Sequence, residues 1–316
     1  MMEHNYQLFL ALLRTAMTGE PFEPVLSAQE WSELFKIAGQ QSVMGVCYTA
    51  FSHLSKDQLP PMELLVKWMA EAETIRGLNE LLNQEAARLT QLFSEQGRKT
   101  AILKGQANAR LYPDKFLRQP GDIDIWVEGG RENVLSLLKT EPFASMMGDK
   151  ELKPEYHHVH LPTSDKRVIV EVHFLPSSGN FNPFTNRRLQ RWLNMELINT
   201  ESVEEGFNVP SVRFALAMQL SHIQHHFFRG GIGLRQIAGA LMWVLGEVFQ
   251  MDRALILCKP DSYYGECMLR EIMEGGNFGH HAQRQHQRMW RRLFAGKLRQ
   301  LRLMRFNFWE VFWMEV

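Results

Sequence analysis

Between about residues 97 and 185 the hydrophobic period of this chain shifts from the three-to-four spacing of helices to the two-residue spacing of strands. With helical patterns on either side, that shift restricts the fold to an α+β core flanked by helices. The run Asp122-Ile123-Asp124-Ile125-Trp126-Val127 alternates, and so does Arg167-Val168-Ile169-Val170-Glu171-Val172-His173-Phe174. Both are predicted to be half-buried strands. Ala101-Ile102-Leu103 is a short apolar strand candidate, and residues 106–112 carry a turn or two of helix. Arg131 to Lys139 is helix-like, and Tyr156 to Leu161 is a further predicted strand stopped by Pro162.

The flanks read as helices. Trp31, Leu34, Phe35, Ile37 and Ala38 recur at helical spacing behind Ser27, a predicted N-cap. Pro60 and Pro61 open a long helix to about Phe93, with Gly77 inside it. Beyond the strands, Pro210 and Ser211 start a helical pattern through Phe228. Gly230, Gly231 and Gly233 break that pattern, and it resumes from Leu234 to Val248. The expected division is 1–96 (N-terminal helical region), 97–204 (α/β core) and 205–316 (C-terminal helical region).

A chain of 316 residues, 45% apolar and 22% charged, can bury its core without covalent staples. Its three cysteines, Cys47, Cys258 and Cys267, are too few and too scattered for a disulfide framework or a zinc knuckle, which points to a reducing compartment. The apolar stretch Leu8 to Leu13 is too short to span a bilayer, and no other run is long enough. The expectation is a cytoplasmic protein without a transmembrane segment. A net charge of zero gives no general reason to expect a nucleic-acid or membrane partner. The exception is local: Arg284 to Arg305 holds eight Arg or Lys and no acid. That stretch is either a solvated helix face or an attractor for RNA phosphates or an anionic surface. Trp309, Phe312 and Trp313 after it share one apolar helix face.

The chemistry concentrates on the two acidic strands. Residues i and i+2 of a strand face the same way, so Asp122 and Asp124 project together while Ile123, Ile125 and Val127 enter the core. Neighbouring carboxylates repel unless a cation lies between them, and Mg²⁺ suits such oxygens. On the second strand Glu171 and His173 share one face, with Val168, Val170, Val172 and Phe174 on the other. A carboxylate in so apolar a strand is costly unless it is paired or ligates a metal. If the strands are neighbours, three carboxylates converge. At the junction of the first strand with its short helix, Leu103-Lys104-Gly105-Gln106 offers close backbone approach and a positive charge for a phosphate.

These residues resemble the core of the polymerase-β-like nucleotidyltransferase superfamily, and more closely a family of uncharacterised bacterial nucleotidyltransferases. The matching elements are Leu103-Lys104-Gly105, Tyr112-Pro113, Arg118, Asp122-Ile123-Asp124, Glu171-Val172-His173, and a His-rich helix followed by Leu234-Arg235-Gln236. The resemblance implies a mixed sheet and two-metal in-line transfer of NMP from an NTP, ATP among them, to a hydroxyl of RNA, protein or a small molecule. Asp122, Asp124 and Glu171 would hold Mg²⁺ or Mn²⁺. Lys104, Gly105, Gln106, Arg118, Gly121 and His173 would line the nucleotide site, and residues 284–305 would attract an RNA acceptor.

Two departures from the family pattern stand out. Lys104-Gly105-Gln106 replaces the superfamily's Gly-Gly or Gly-Ser turn, and Gly239 stands where an acid follows Leu-Arg-Gln. They leave open an inactive member that keeps the fold for interaction. His222, His225 and His226 lie on one helix face and leave open a His-dependent metallohydrolase. Arg118 has an alternative as a surface partner of Asp114. His157, His158 and His160 either line the cleft or fill a surface.

Overall fold

The computed structural model describes residues 2–179, 183–229 and 234–235. The described chain divides into two compact units, the first built from residues up to Gln40 with Ala50–Leu65, the second from Gln41–Thr49 and the chain from Val66 onward.

In the first unit, α1 (Met2–Thr18) and α2 (Ala28–Gln40) pack together with a 3₁₀ turn at Ala50–His53. Phe9, Leu12, Leu13 and Ala16 of α1 are buried at helical spacing, as are Trp31, Leu34 and Ala38 of α2. Trp31 also meets Phe51 edge-on, with ring centroids 5.7 Å apart. Ser27 starts α2 as the sequence predicts. Its Oγ accepts the Glu30 N–H (3.3 Å), and the Glu30 carboxylate accepts the Ser27 N–H (2.8 Å), a reciprocal capping box.

The second unit is organised by a four-stranded sheet in the order β1-β2-β4-β3. The strands are β1 (Thr100–Ile102), β2 (Ile123–Val127), β3 (His158–Leu161) and β4 (Val170–His173). β2 runs parallel to β4 with Asp124 opposite Glu171, while β1 and β3 are antiparallel to their neighbours. The mixed sheet and its flanking helices are the α+β class expected from the sequence.

Alternation then sorts the side chains. Ile102, Ile123, Ile125, Val127, Val159, Leu161, Val170 and Val172 form one buried face. Against it lies α4 (Met62–Glu95), through Leu82, Ala86, Leu89 and Phe93, spaced to share one helix stripe. Val134 of α6 (Gly130–Leu137) and Phe143 of α7 (Phe143–Met147) complete this layer, with Phe143 stacked 4.6 Å from Phe93. The opposite face of the sheet therefore carries the polar partners: Asp124, Glu171, His173, His158 and His160.

The other elements frame this face. α5 (Gln106–Ala109) follows β1, and α8 (Pro183–Glu196) packs on α9 (Val212–Arg229). Asn108 donates to Gln219 at 3.1 Å, a buried bond from α5 to α9. Between them, the hairpin β5 (Thr200–Ser202) and β6 (Asn208–Pro210) sets β6 beside β1.

Predicted boundaries moved where side chains took over the backbone. The strand expected from Arg167 begins at Val170, because Asp165 accepts the Arg167 N–H (2.9 Å) and holds a turn. The strand expected from Tyr156 begins at His158.

α3 (Met44–Thr49) sits against the loop that leads to β2. At Gly45 an added Cβ would lie 2.3 Å from the Leu117 carbonyl oxygen, so only glycine permits this approach. Gly45→Ala is expected to lower stability by about 3 kcal/mol, read as a drop in denaturation midpoint, because a backbone atom cannot step aside.

Cys47 is buried and free. Cys258, Cys267, Gly239, the basic stretch 284–305 and the aromatic segment after it lie outside the described residues. No described helix is long and apolar enough to cross a membrane.

Candidate active site

Asp124 sits in the middle of the sheet with its side chain fully buried, directly opposite Glu171. Asp122, two residues earlier, reaches the same face from the approach to β2. One carboxylate oxygen from each of Asp122, Asp124 and Glu171 lies within 4.8 Å of the other two. The trio predicted from two separate strands is therefore brought together by their parallel pairing.

Such a cluster needs positive charge. Lys104 Nζ lies 3.0 Å from Asp124 Oδ1, and His173 Nε2 lies 3.0 Å from the same oxygen. His173 Nε2 is also 3.3 Å from Glu171 Oε2. Yet neither Asp124 oxygen receives a well-aligned hydrogen bond. The cations are close but off the lone-pair directions, so the attraction is mainly Coulombic and lone pairs stay available.

The titration behaviour follows. Burial works against the Asp124 anion, but Lys104 and His173 overcome it and hold its pKa well below the usual carboxylate range. Asp122 goes the other way: burial, then repulsion from Asp124, pushes its pKa up. For Glu171 burial is outweighed by the His173 hydrogen bond, and the pKa falls. Lys104 is opposed by burial and favoured by Asp124, Asp122 and Glu171, with a net upward shift. His173 likewise overcomes burial through Asp124 and Glu171 and is shifted up.

Gly105 has a φ of 58°, where glycine is favoured, and an added Cβ would lie 3.3 Å from the Asp122 carbonyl oxygen. The Lys104-Gly105 turn thus lies directly against the acidic strand. Gln106 is placed differently from the nucleotide-lining role expected of it. Its side chain is buried and its amide donates to Asn83 Oδ1 at 2.8 Å. Asn79, fully buried on α4, donates to the carbonyls of Phe116 (2.7 Å) and Arg118 (2.8 Å) and fixes the loop before Asp122. Nothing in the local pattern of α4 marks Asn79 beyond a polar residue on an apolar stripe.

The surface pair of Arg118 with Asp114 is not formed: Asp114 is held by Arg76 at 2.8 Å. Arg118 instead lies over the Tyr112 ring, 6.0 Å from its centroid, and its Nε is buried without a partner. Arg235 donates to the Pro120 carbonyl at 3.2 Å, with its Nη1 3.7 Å from where a Gly121 Cβ would be. Burial and then Arg118 pull the Arg235 pKa below its usual value. One guanidinium, that of Arg235, therefore lies beside Pro120 and Gly121, while that of Arg118 lies near the Gln119 carbonyl. The sequence marks Arg235 only as part of Leu234-Arg235-Gln236.

A sequence model of the family described as "Uncharacterised nucleotidyltransferase" matches residues 27–252. The chain belongs to this nucleotidyltransferase family. No curated protein matches it. Among solved structures it is similar to an antigenic nucleotidyltransferase-like protein from Paracoccidioides brasiliensis. Identity is 15%, coverage is 61% of this chain and 87% of that one, and the TM-score is 0.36.

Two further histidines approach the acidic trio from β3 and the residue before it. His157 and His158 lie with Glu171 and His173 so that one ligand atom of each is within 4.8 Å of the others. Burial and repulsion from His173 take the His157 pKa down to about 3. The sequence supplies the His-His-Val-His run, but only the β3–β4 register, His158 opposite His173, brings it to Glu171. His222 is half-buried in α9, and the side chains of His225 and His226 lie outside the described residues.

Proposed function

We propose that this member of the nucleotidyltransferase family transfers a nucleoside monophosphate from an NTP to a hydroxyl acceptor, with Mg²⁺ or Mn²⁺ held by Asp122, Asp124 and Glu171. The observation that carries this reading is the meeting of those three carboxylates from two strands within 4.8 Å. The donor set fits the ion: all-oxygen, anionic, and with both oxygens of a buried aspartate lacking aligned hydrogen bonds. When bound, such ions supply neutralisation of the leaving pyrophosphate and activation of the attacking hydroxyl.

The chain's own residues then have separable tasks. The sheet fixes Asp124 and Glu171, so little reorganisation is needed at the moment of reaction. Glu171, half-buried like Asp122, would complete the site for the ion that activates the attacking hydroxyl. Lys104 holds a positive charge at the Gly105 turn, where a polyphosphate is drawn in. Arg235, near Asp122, and Arg118, on the loop before it, add two further cationic groups suited to the donor's phosphates. His173 bridges Asp124 and Glu171 and keeps their carboxylates in register. The acceptor class rests on the family resemblance alone, with RNA, protein and small molecules all open.

The test is to incubate the protein with each labelled NTP, Mg²⁺ or Mn²⁺, and RNA or lysate. The expected result is label transfer that disappears in Asp124→Ala, with far-UV circular dichroism checking that the variant is folded. One observation favours a second reading, an inactive member that keeps the fold for interaction: Lys104 already lies 3.0 Å from Asp124. That reading predicts no label transfer and no Mn²⁺ bound in electron paramagnetic resonance titrations.

A further inference from the structure

We propose that His157, His158 and His173, with Glu171, form a transition-metal site beside the acidic trio, suited to Zn²⁺. The ligand chemistry differs from that of the trio. Three imidazoles and one carboxylate suit a borderline divalent cation, whereas three carboxylates suit a hard one.

The four side chains converge, with one ligand atom of each within 4.8 Å of the others. Zinc bonds of about 2.0–2.1 Å place neighbouring ligand atoms about 3.3 Å apart in a tetrahedron. Here His157 Nε2 and His158 Nδ1 are 3.1 Å apart. His158 Nε2 and Glu171 Oε1 are 3.6 Å apart. Whichever ring nitrogen His158 presents, a member of the set faces it. The ring centroids lie 4.4 Å (His157–His158), 5.0 Å (His157–His173) and 5.3 Å (His158–His173) apart, so the rings surround one point rather than forming a row.

A second observation points to a ligand. His158 and His173 are 5% and 2% exposed, yet His158 Nε2 and His173 Nδ1 have no hydrogen-bond partner. A coordinated ion would supply the partner that such a buried nitrogen lacks. The sheet explains the convergence. β3 and β4 pair antiparallel with His158 opposite His173 and His160 opposite Glu171, and Phe174 N–H donates to the His157 carbonyl at 3.0 Å. Backbone pairing therefore holds all four positions. Glu171 belongs to both donor sets, so an ion on the histidines draws on a carboxylate of the trio.

His158 also belongs to an outer group with Glu155 and His160, both exposed. The inner set is favoured because exposed side chains must be ordered before they can ligate.

The experiment is a Zn²⁺ titration by calorimetry on chelator-treated full-length protein, with Co²⁺ absorption reporting the ligand field. Expected are one Zn²⁺ per chain and the strong visible bands of tetrahedral Co²⁺. His157→Ala and His158→Asn should each weaken Zn²⁺ by roughly tenfold or more, as loss of a ligand requires. His160→Ala and Asp122→Asn should leave it within about threefold, because neither residue belongs to the inner set. Thermal melts in EDTA verify that each variant is folded. No zinc uptake by the wild type, or unchanged affinity in both His157→Ala and His158→Asn, overturns the proposal, as does a loss confined to His160→Ala. The readout is metal uptake, so failure here leaves nucleotidyl transfer standing, and absence of transfer leaves this site standing.

Discussion

Lys104→Met, melted in EDTA, is expected to lose about 3 kcal/mol of stability relative to the wild type. Methionine keeps most of the apolar stem of lysine and removes the ammonium group. Asp124, its side chain fully buried, then faces Asp122 and Glu171 with His173 as its nearest cation. Breaking a buried pair leaves an uncompensated charge, which costs more than the pair itself contributes. His173 remains 3.0 Å away and shifted toward its charged form, which keeps the loss at the lower end of the usual range. A divalent cation supplies the missing charge. Mn²⁺ at a hundred times its Kd should return about 2.7 kcal/mol, and with the competing ammonium gone the variant should bind Mn²⁺ more tightly, so at equal Mn²⁺ its melting temperature should rise more than the wild type's. A variant that melts with the wild type in EDTA would show that Lys104 does not balance the cluster.

Asp122→Asn is expected to lower the nucleotidyl-transfer rate at least about a thousandfold, some 4 kcal/mol of barrier, and yet to stabilise the fold at neutral pH. Asparagine keeps the shape and removes one of three converging anions. The stability sign follows from the upward pKa shift, caused by burial and then Asp124. A carboxyl whose folded pKa is raised favours the folded state when protonated, and that advantage is lost as pH rises through the folded pKa. At neutral pH the ionised Asp122 therefore works against folding, and the variant should melt above the wild type. The gap should close as pH falls toward the ordinary aspartate value of 3.8, where wild-type Asp122 is protonated in both states. Asp124 has the opposite sign. Its depressed pKa contributes stability above the unfolded value that is lost as pH falls through the folded one. Transfer within about tenfold of wild type, some 1.4 kcal/mol, would remove Asp122 from the catalytic set. A melting temperature below the wild type at neutral pH would contradict the electrostatic account.

The sequence carries much of this protein, for a local reason. Period-two alternation is a property of neighbouring residues, so it announces β2 and β4 and assigns Asp122, Asp124, Glu171 and His173 to polar faces before any contact is known. Helical stripes likewise announce α2, α4 and α9, and Ser27 its cap. Where the signal was weak, elements were missed. α7 has five residues and the β5–β6 hairpin has three-residue strands, whereas α8 went unread although Leu189 and Leu193 are buried at helical spacing.

Tertiary structure decided what stands against what. Parallel pairing of β2 with β4 turned two acidic strands into one trio, and antiparallel pairing of β3 carried His157 and His158 to Glu171. Asp114 went to Arg76 rather than Arg118, Gln106 turned to Asn83, and Arg235 arrived at Pro120 from far along the chain. Lys104, read from the sequence as a charge available to a phosphate, lies against Asp124. The physical reason is that alternation fixes which way a side chain points relative to its own strand. Strand order, register and the reach of long cationic side chains depend on packing between residues remote in sequence, and no local pattern records them.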